Sequence, residues 1–241
     1  MAIPRFYCPE AYFAPGSKVI LPDDVRHHAG RVLRMRAGDA ACLFDGRGNE
    51  CTGPIHFEGS QAWVDVETVA APAVESPLEI TLVQSLVSPE KMDWIVEKAV
   101  ETGVAHIVIV PAQRSVTRLA GERLAKRLLH WKAVVVSACS QSGRTRVPDV
   151  RFCSFEEALQ LKADARIFLA PSSSEPPRIA NAGSFVLAVG PEGGFSPEEI
   201  EAAKAAGWQC ALVGPRILRT ETAGIVAVSL VNAASGDYRW Q

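Results

Sequence analysis

The sequence predicts a protein of two domains, in which a small β domain precedes an α/β domain with a mostly parallel sheet. Three observations predict this order. Short segments of alternating polar and apolar residues dominate the first 70 residues, a pattern typical of a small β-barrel or sandwich. A stretch rich in Pro and Ala follows at residues 70–77. Beyond it, apolar runs alternate with helical patterns, which favours a parallel sheet flanked by helices.

The first domain is assigned to residues 1–72 and is expected to contain one helix among its strands. Its strands are predicted at residues 17–21, 40–44, 50–57 and 61–69, separated by glycines. The helix is predicted at residues 24–35, because Val25, Ala29, Val32 and Leu33 recur at helical spacing and define an apolar stripe.

The second domain is assigned to residues 73–241. Helix starts are marked by Ser88, Ser154 and Ser196, which precede a proline or lie three residues before a glutamate. A helix at residues 222–235 is apolar almost all round and must be covered on every side, for which a subunit interface is one solution. Buried strands are predicted at residues 78–83, 106–110, 166–170, 185–189 and 210–213, and a further helix at residues 121–138.

Composition excludes several classes of protein. The chain is 48% hydrophobic and 22% charged, which is ordinary for a globular protein. Its net charge of -2 argues against a uniformly basic nucleic-acid binder, although residues 113–151 are locally basic. The N-terminus lacks the apolar segment of a signal peptide, and no apolar stretch reaches the roughly 18 residues of a membrane span. A cytoplasmic location is therefore expected.

The six cysteines are scattered without a Cys-x-x-Cys pair, and the histidines show no metal-ligand spacing. They are predicted to be reduced thiols, with no metal bound. The basic segment near Cys139 could lower the pKa of that thiol.

Two loops, each between a predicted strand and a predicted helix, are the candidate ligand site, because open α/β sheets bind ligands at the carboxyl ends of strands. The glycines of loop one (residues 190–195, GPEGGF) allow a ligand to approach the backbone closely. The alternative is that they form only a tight connection between the strand and the helix. In loop two (predicted at residues 214–223, GPRILRTETA), Ile217 and Leu218 form either an apolar slot for a purine or plain core. Arg219 lies between buried elements and needs a partner, which is Glu221, a substrate phosphate or a subunit carboxylate.

These loops carry a specific resemblance. VGPEGGFSPEEI followed by VGPRILRTETA closely resembles the paired C-terminal motifs of the SPOUT superfamily of RNA methyltransferases. Within it, the chain is similar to the RsmE type, which makes N3-methyluridine in 16S ribosomal RNA of the small subunit. RFY, HHAGRVLRMRAGD, KMDWIVEKAVETGV and QSGRTRVP agree in the same order along the chain. The family pattern has an acidic residue before Gln141, where this chain has Ser140, so no role is assigned to a carboxylate there.

The resemblance implies a PUA-like RNA-binding β-barrel at residues 1–72 and a SPOUT-like, trefoil-knotted methyltransferase domain at residues 73–241. Pattern alone predicts an unknotted doubly wound sheet. The resemblance also implies a homodimer with S-adenosylmethionine bound in the knot and ribosomal RNA as substrate. Carried onto matching positions, the cofactor contacts are Leu169, Ala170, Gly190, Glu192, Gly193, Gly194, Leu212, Gly214, Ile217, Leu218 and Thr222.

Loss of the uracil N3 proton requires a base that the sequence does not identify. Arg219 and Glu221 are candidate catalytic residues, with Glu192 and hydroxide as alternatives. Phosphate contacts are predicted from basic residues: Arg5, Arg31, Arg34, Arg114, Arg144 and Arg146. Two other hypotheses stay open. The chain is either a related enzyme that methylates a ribose 2'-hydroxyl or another base of ribosomal or transfer RNA, or a non-catalytic RNA-binding assembly protein.

Overall fold

The computed structural model describes residues 3–170, 176–179 and 181–240 and divides the chain into two compact units. Unit one comprises residues 1–75 and 139–147, and unit two comprises residues 76–138 and 148–241. The first unit extends three residues past the predicted boundary at residue 72 and includes a segment that lies much later in the chain. The division into domains at residue 72 stays a prediction.

Unit one is built on a six-stranded, mostly antiparallel sheet, as the alternating pattern predicted for this region. Its order is β1-β3-β4-β5-β2, with β6 paired to β4, and β1 runs parallel to β3. One face buries an apolar cluster that includes Leu43, Ile55 and Val64. The strands are β1 (Arg5–Tyr7), β2 (Lys18–Ile20), β3 (Ala40–Phe44), β4 (Glu50–Glu58), β5 (Gln61–Asp65) and β6 (Thr68–Ala70).

The helix of unit one departs from the prediction. A short α-helix, α1 (Asp23–His27), continues as a π-helix at His28–Val32. The amide of Leu33 donates to the carbonyl of His28, five residues back, so the turn is wider than in an α-helix. The helical spacing therefore fails: Ala29 is fully buried, but Val32 and Leu33 are 58% and 45% exposed.

Unit two contains a six-stranded parallel sheet in the order β12-β10-β11-β7-β8-β9. The parallel sheet was predicted. Strand β9 was missed, because its four residues alternate between polar and apolar and form no apolar run. The strands are β7 (Glu79–Ser85), β8 (His106–Val110), β9 (Asp149–Phe152), β10 (Ala165–Leu169), β11 (Ser184–Val189) and β12 (Gln209–Ala211).

Helices lie on both faces of this sheet, and three of them begin directly after Ser88, Ser154 and Ser196, as predicted. Both predicted capping boxes form, at Ser154 and at Ser196. On one face, α6 packs on β7 and β11 and against α2. The other face buries an aromatic cluster around Phe168. The helices are α2 (Pro89–Glu101), α3 (Gly121–Ser142), α4 (Phe155–Leu159), α5 (Pro197–Ala205) and α6 (Thr220–Ser235).

The helix α6 is less covered than its composition implies. Val228 and Val231 are buried, whereas Leu230 is 53% exposed and Ile225 is half-buried. The prediction that this apolar helix is covered on every side is therefore not met within one chain. No helix in the described parts of the chain is long and apolar enough to cross a membrane.

The six cysteines are free thiols. Burial raises the pKa of Cys8 to about 12 and that of Cys139 to about 11. The expectation that the basic segment lowers the pKa of Cys139 is therefore wrong. Burial outweighs the attraction of Arg144, whose charge is also shared with Glu75.

The carboxylate of Glu75 binds residues 144–146, which belong to unit one although they lie much later in the chain. Glu75 Oε2 accepts hydrogen bonds from Arg144 Nε at 2.9 Å and Arg144 Nη2 at 2.7 Å. The other oxygen, Oε1, accepts from the backbone amides of Thr145 and Arg146 at 3.1 and 3.0 Å. Because Arg144 is buried, this ion pair lies largely out of water, and removing one of its partners is costly.

We predict that Glu75→Ala lowers the free energy of unfolding by about 3 kcal/mol, because it removes the carboxylate from a buried ion pair. Chemical denaturation measures this loss, and hydrogen exchange at the Thr145 and Arg146 amides should accelerate. Glu58→Ala, at an exposed position of the same unit, is the control and should change stability by less than about 0.5 kcal/mol. Equal stability of the two variants would contradict the assignment.

Candidate active site

The candidate site is a cavity of about 400 Å³ at the carboxyl ends of three neighbouring strands of unit two. Leu169 at the end of β10 is in register with Val189 of β11 on one side and with Ala211 of β12 on the other. All three residues line the cavity, together with residues of both loops. A cavity of this size is in the range that encloses a small organic ligand.

Loop one follows β11 and is tightly folded. A side chain at Gly190 has no room, because its Cβ would lie 3.0 Å from the amide nitrogen of Phe195 and 3.1 Å from the ring of Phe195. That ring stacks at 4.0 Å between centroids on Phe168 of β10. Ser196 then caps α5, so the loop is held at both ends.

Two further contacts brace loop one from the segment that follows β8. The amide of Gln113 donates to Glu199 Oε1 at 2.8 Å, and Arg114 Nη1 donates to the carbonyl of Gly193 at 3.0 Å. A Cβ at Gly193 would lie 3.3 Å from Arg114 Cβ, so this position is also crowded. The glycines therefore let the backbone itself form the cavity wall.

Loop two follows β12 and is open to solvent. Gly214 adopts φ +65°, a conformation that favours glycine. Ile217 lines the cavity and is 86% exposed, which excludes the alternative of core packing within the chain. Arg216 and Arg219 also line the cavity and are exposed. The inference that Arg219 is buried and needs a partner is therefore wrong, because water can solvate its guanidinium.

The two loops meet at Thr220, the first residue of α6. Its hydroxyl donates to the carbonyl of Gly190 at 2.6 Å, and both residues line the cavity. This bond joins the start of loop one to the end of loop two.

The structure brings together most of the predicted cofactor contacts. Gly214 and Thr222 do not line the cavity. Gly214 lies at the exposed turn of loop two, and in the first turn of α6 it is Thr220 and Ala223 that reach the wall instead of Thr222. The predicted contacts that do line it are Leu169, Ala170, Gly190, Glu192, Gly193, Gly194, Leu212, Ile217 and Leu218.

Sequence reasoning missed several residues of the wall. Most are sequence neighbours of predicted contacts and could have been found from the strand ends. Thr220 could have been found as the first residue of a helix that follows a ligand loop. The missed residues are Val189, Pro191, Ala211, Val213, Arg216, Thr220 and Ala223.

An ion-pair cluster adjoins the cavity. Lys91 Nζ lies 3.0 Å from Glu192 Oε1 and 3.9 Å from Glu221 Oε2. Burial opposes ionisation of Glu192, but its own backbone amide and Lys91 together lower the pKa of this carboxyl. Glu192 is thus ionised at neutral pH and is a weak proton acceptor. Glu221 lies outside the cavity wall.

The predicted RNA contacts fall into two groups. Arg31, Arg34, Arg114 and Arg146 are exposed. Arg5 instead pairs with Glu50 at 2.6 Å and donates to the carbonyls of residues 143 and 144. Arg144 is buried against its carboxylate partner at residue 75. The structure does not support Arg5 and Arg144 as RNA contacts, because Arg5 is paired with Glu50 and Arg144 is buried against Glu75 inside unit one.

Comparison with known proteins agrees with this site. The family described as RNA methyltransferase domain matches residues 74–232, and the RNA methyltransferase PUA domain matches residues 21–56. Ribosomal RNA small subunit methyltransferase E of Mycobacterium bovis is 32% identical, over 93% of this chain and 89% of that relative. The chain belongs to the ribosomal RNA small subunit methyltransferase E family. The enzyme of this name from Bacillus subtilis is 30% identical, over 86% of each chain.

Solved structures extend the family relation to the fold. The methyltransferase E of Neisseria gonorrhoeae, solved with S-adenosylmethionine bound, has a TM-score of 0.87 and 36% identity, over 99% of this chain and 100% of that one. A putative methyltransferase from Legionella pneumophila, also solved with this cofactor, has a TM-score of 0.91 and 33% identity with the same coverage. An α/β methyltransferase fold with an N-terminal PUA-like domain is therefore established for this member of the family.

We predict that Gly190→Ala destabilises the protein by about 1 to 3 kcal/mol, because the added Cβ would lie only 3.0 Å from the backbone nitrogen of Phe195 and would force the packed loop to shift. The matched control is Gly183→Ala, where the nearest atom is a carboxylate oxygen of Asp164 at an ordinary 3.8 Å. Chemical denaturation of both variants measures the difference. A loss at Gly190 no larger than at Gly183 would show that loop one is looser than the structure indicates.

Proposed function

We propose that this protein transfers a methyl group from S-adenosylmethionine to N3 of a uridine in 16S ribosomal RNA. The observation that carries the proposal is the cavity itself, whose walls are the two loops that carry the family motifs. The family relation supports ribosomal RNA of the small subunit as substrate, and the relatives solved with S-adenosylmethionine support the cofactor.

The residues of the cavity fit that cofactor. Leu169, Leu212 and Leu218 provide an apolar wall suited to a purine ring. The backbone of loop one is open to a ligand, because Gly190, Gly193 and Gly194 line the cavity and carry no side chain. Its peptide groups can therefore hydrogen-bond the edges of a bound ligand.

The chemistry requires N3 of uracil to lose its proton, since its lone pair is delocalised in the neutral ring. S-adenosylmethionine, when bound, supplies the methyl group. The protein's contribution is to align the two reactants, which in well-oriented systems is worth on the order of 7 to 11 kcal/mol. Arg219 on the cavity wall would stabilise the negative charge that develops on the uracil oxygens. The low pKa of Glu192 and the position of Glu221 favour neither as the base, so hydroxide remains the alternative.

The proposal includes finer features of the family. A SPOUT-type trefoil knot is supported by the order of the family motifs along the chain. A homodimer is supported by the partial exposure of Leu230 and Ile225, two apolar residues of α6. A ribosomal RNA substrate would place the enzyme in the cytoplasm.

The deciding experiment measures cofactor binding and product separately. Isothermal titration calorimetry with S-adenosylmethionine should show binding, and mass spectrometry of 16S RNA incubated with enzyme and cofactor should show 3-methyluridine. A 2'-O-methyl nucleoside or another methylated base would replace the proposed acceptor with that of a related enzyme. Absence of cofactor binding would leave only an RNA-binding role.

RNA phosphates are expected to contact the exposed arginines of unit one. Arg146→Gln or Arg31→Gln should reduce the slope of log affinity against log salt by roughly 0.7 to 0.9, the value for one lost phosphate contact. Lys204→Gln is the matched control, because this exposed lysine pairs with Glu201 on α5 and is not among the predicted contacts. Fluorescence anisotropy with a 16S fragment at several salt concentrations gives the slopes; slopes equal to that of the control would remove these arginines from the interface.

A further inference from the structure

A buried amide stands behind the cavity wall. Gln84 lies near the carboxyl end of β7, and none of its surface is exposed. Burial of an amide costs free energy unless its polar atoms are hydrogen-bonded. It is in register with Val189, the last residue of β11, and so stands beside the strand from which loop one begins.

The side-chain amide of Gln84 donates hydrogen bonds but accepts none among the described residues. Gln84 Nε2 donates to Thr220 Oγ1 at 3.0 Å and to the carbonyl of Ser85 at 2.9 Å. The carbonyl of Gly190 can only accept, so the single hydroxyl hydrogen of Thr220 is used in the 2.6 Å bond to it. Thr220 Oγ1 must then accept from its other neighbour, which requires the NH₂ group of Gln84 to face it.

This directional order leaves one atom unpaired. Gln84 Oε1 is buried and has no hydrogen-bond partner among the residues that the structure describes. Rotating the amide by a half-turn would place Oε1 against Thr220 Oγ1 and the carbonyl of Ser85, neither of which has a hydrogen to donate to it, and would break the donation to Thr220. An unpaired buried acceptor is unfavourable. The structure therefore keeps the hydrogen bond from Gln84 to Thr220 and leaves the oxygen of the glutamine without a partner among the described residues.

We propose that Gln84 is a positioning residue for the cofactor, acting through a relay from Gln84 to Thr220 to Gly190. Gln84 is not part of the cavity wall, whereas the other two are. The relay orients the hydroxyl of Thr220 and so holds loop one and the start of α6 at one separation. This inference rests on the proposed function, since it concerns the affinity for S-adenosylmethionine.

The relay predicts a dependence between its two side chains. Gln84→Met removes the amide at nearly the same length, and Thr220→Val removes the hydroxyl at nearly the same shape. Each should weaken S-adenosylmethionine binding about tenfold, the effect expected for loss of one buried hydrogen bond. Because the glutamine acts through the threonine, the double variant should bind no more weakly than Thr220→Val alone.

Two further variants separate positioning from general destabilisation. Thr220→Ser keeps the hydroxyl and should bind the cofactor within about twofold of the wild type. Ser85→Ala removes a buried hydroxyl that has no partner among the described residues and lies on the other face of β7, since successive side chains alternate. It should leave affinity unchanged.

Calorimetry on folded protein, checked by circular dichroism, gives the dissociation constants, and methylation kinetics should show a raised KM for the cofactor with a smaller change in kcat. If Gln84→Met does not fold, the pair Thr220→Val and Thr220→Ser tests the relay by itself. Additive losses in the double variant, or equal affinities of the valine and serine variants, would overturn the proposal. Wild-type protein that does not bind the cofactor would instead refute the proposed function.

Discussion

Parallel pairing of β10 with β11 and β12 brings the carboxyl ends of three strands to one level, and the cavity depends on this register. Leu169 lies between Val189 and Ala211, and the amide of Ala170 still donates to the carbonyl of Ala211 at 3.0 Å. Where the strands end, regular pairing ends, so the peptide groups of the following loops can serve a ligand. The two loops are separated in the chain by α5 and β12, and the pairing of the strands brings them together.

The two loops are held to different extents, which suits their proposed tasks. Loop one is braced by the ring of Phe195, by Glu199 and by Arg114, so its glycine backbone forms a fixed surface. Loop two carries the exposed Ile217 and two exposed arginines, which are available to a second reactant. A fixed surface for the cofactor beside an open surface for RNA is consistent with transfer between a small molecule and a large one.

Whether a charged side chain is exposed depends on its partners in the folded structure and not on the local sequence. Arg144 and Arg146 belong to one basic segment, yet Arg144 is buried against Glu75 and Arg146 is exposed. Arg5 is likewise engaged by Glu50. The segment's net charge therefore overestimates the number of cations that can meet a phosphate. Burial has the same effect on Cys139, where it outweighs the nearby arginine and raises the pKa.

The sequence by itself determined what depends on local chemistry. The period of apolar residues indicated the strands, serine with glutamate three residues later located two helix starts, and glycines in loop one marked where the backbone forms a wall. Only the tertiary structure decided what depends on neighbours distant in the chain. Thr220 entered the wall through its bond to Gly190, Val32 turned outward because a π-helix altered the spacing, and Gln84 acquired its relay from β7, since hydrogen bonds and burial are set by which segments meet.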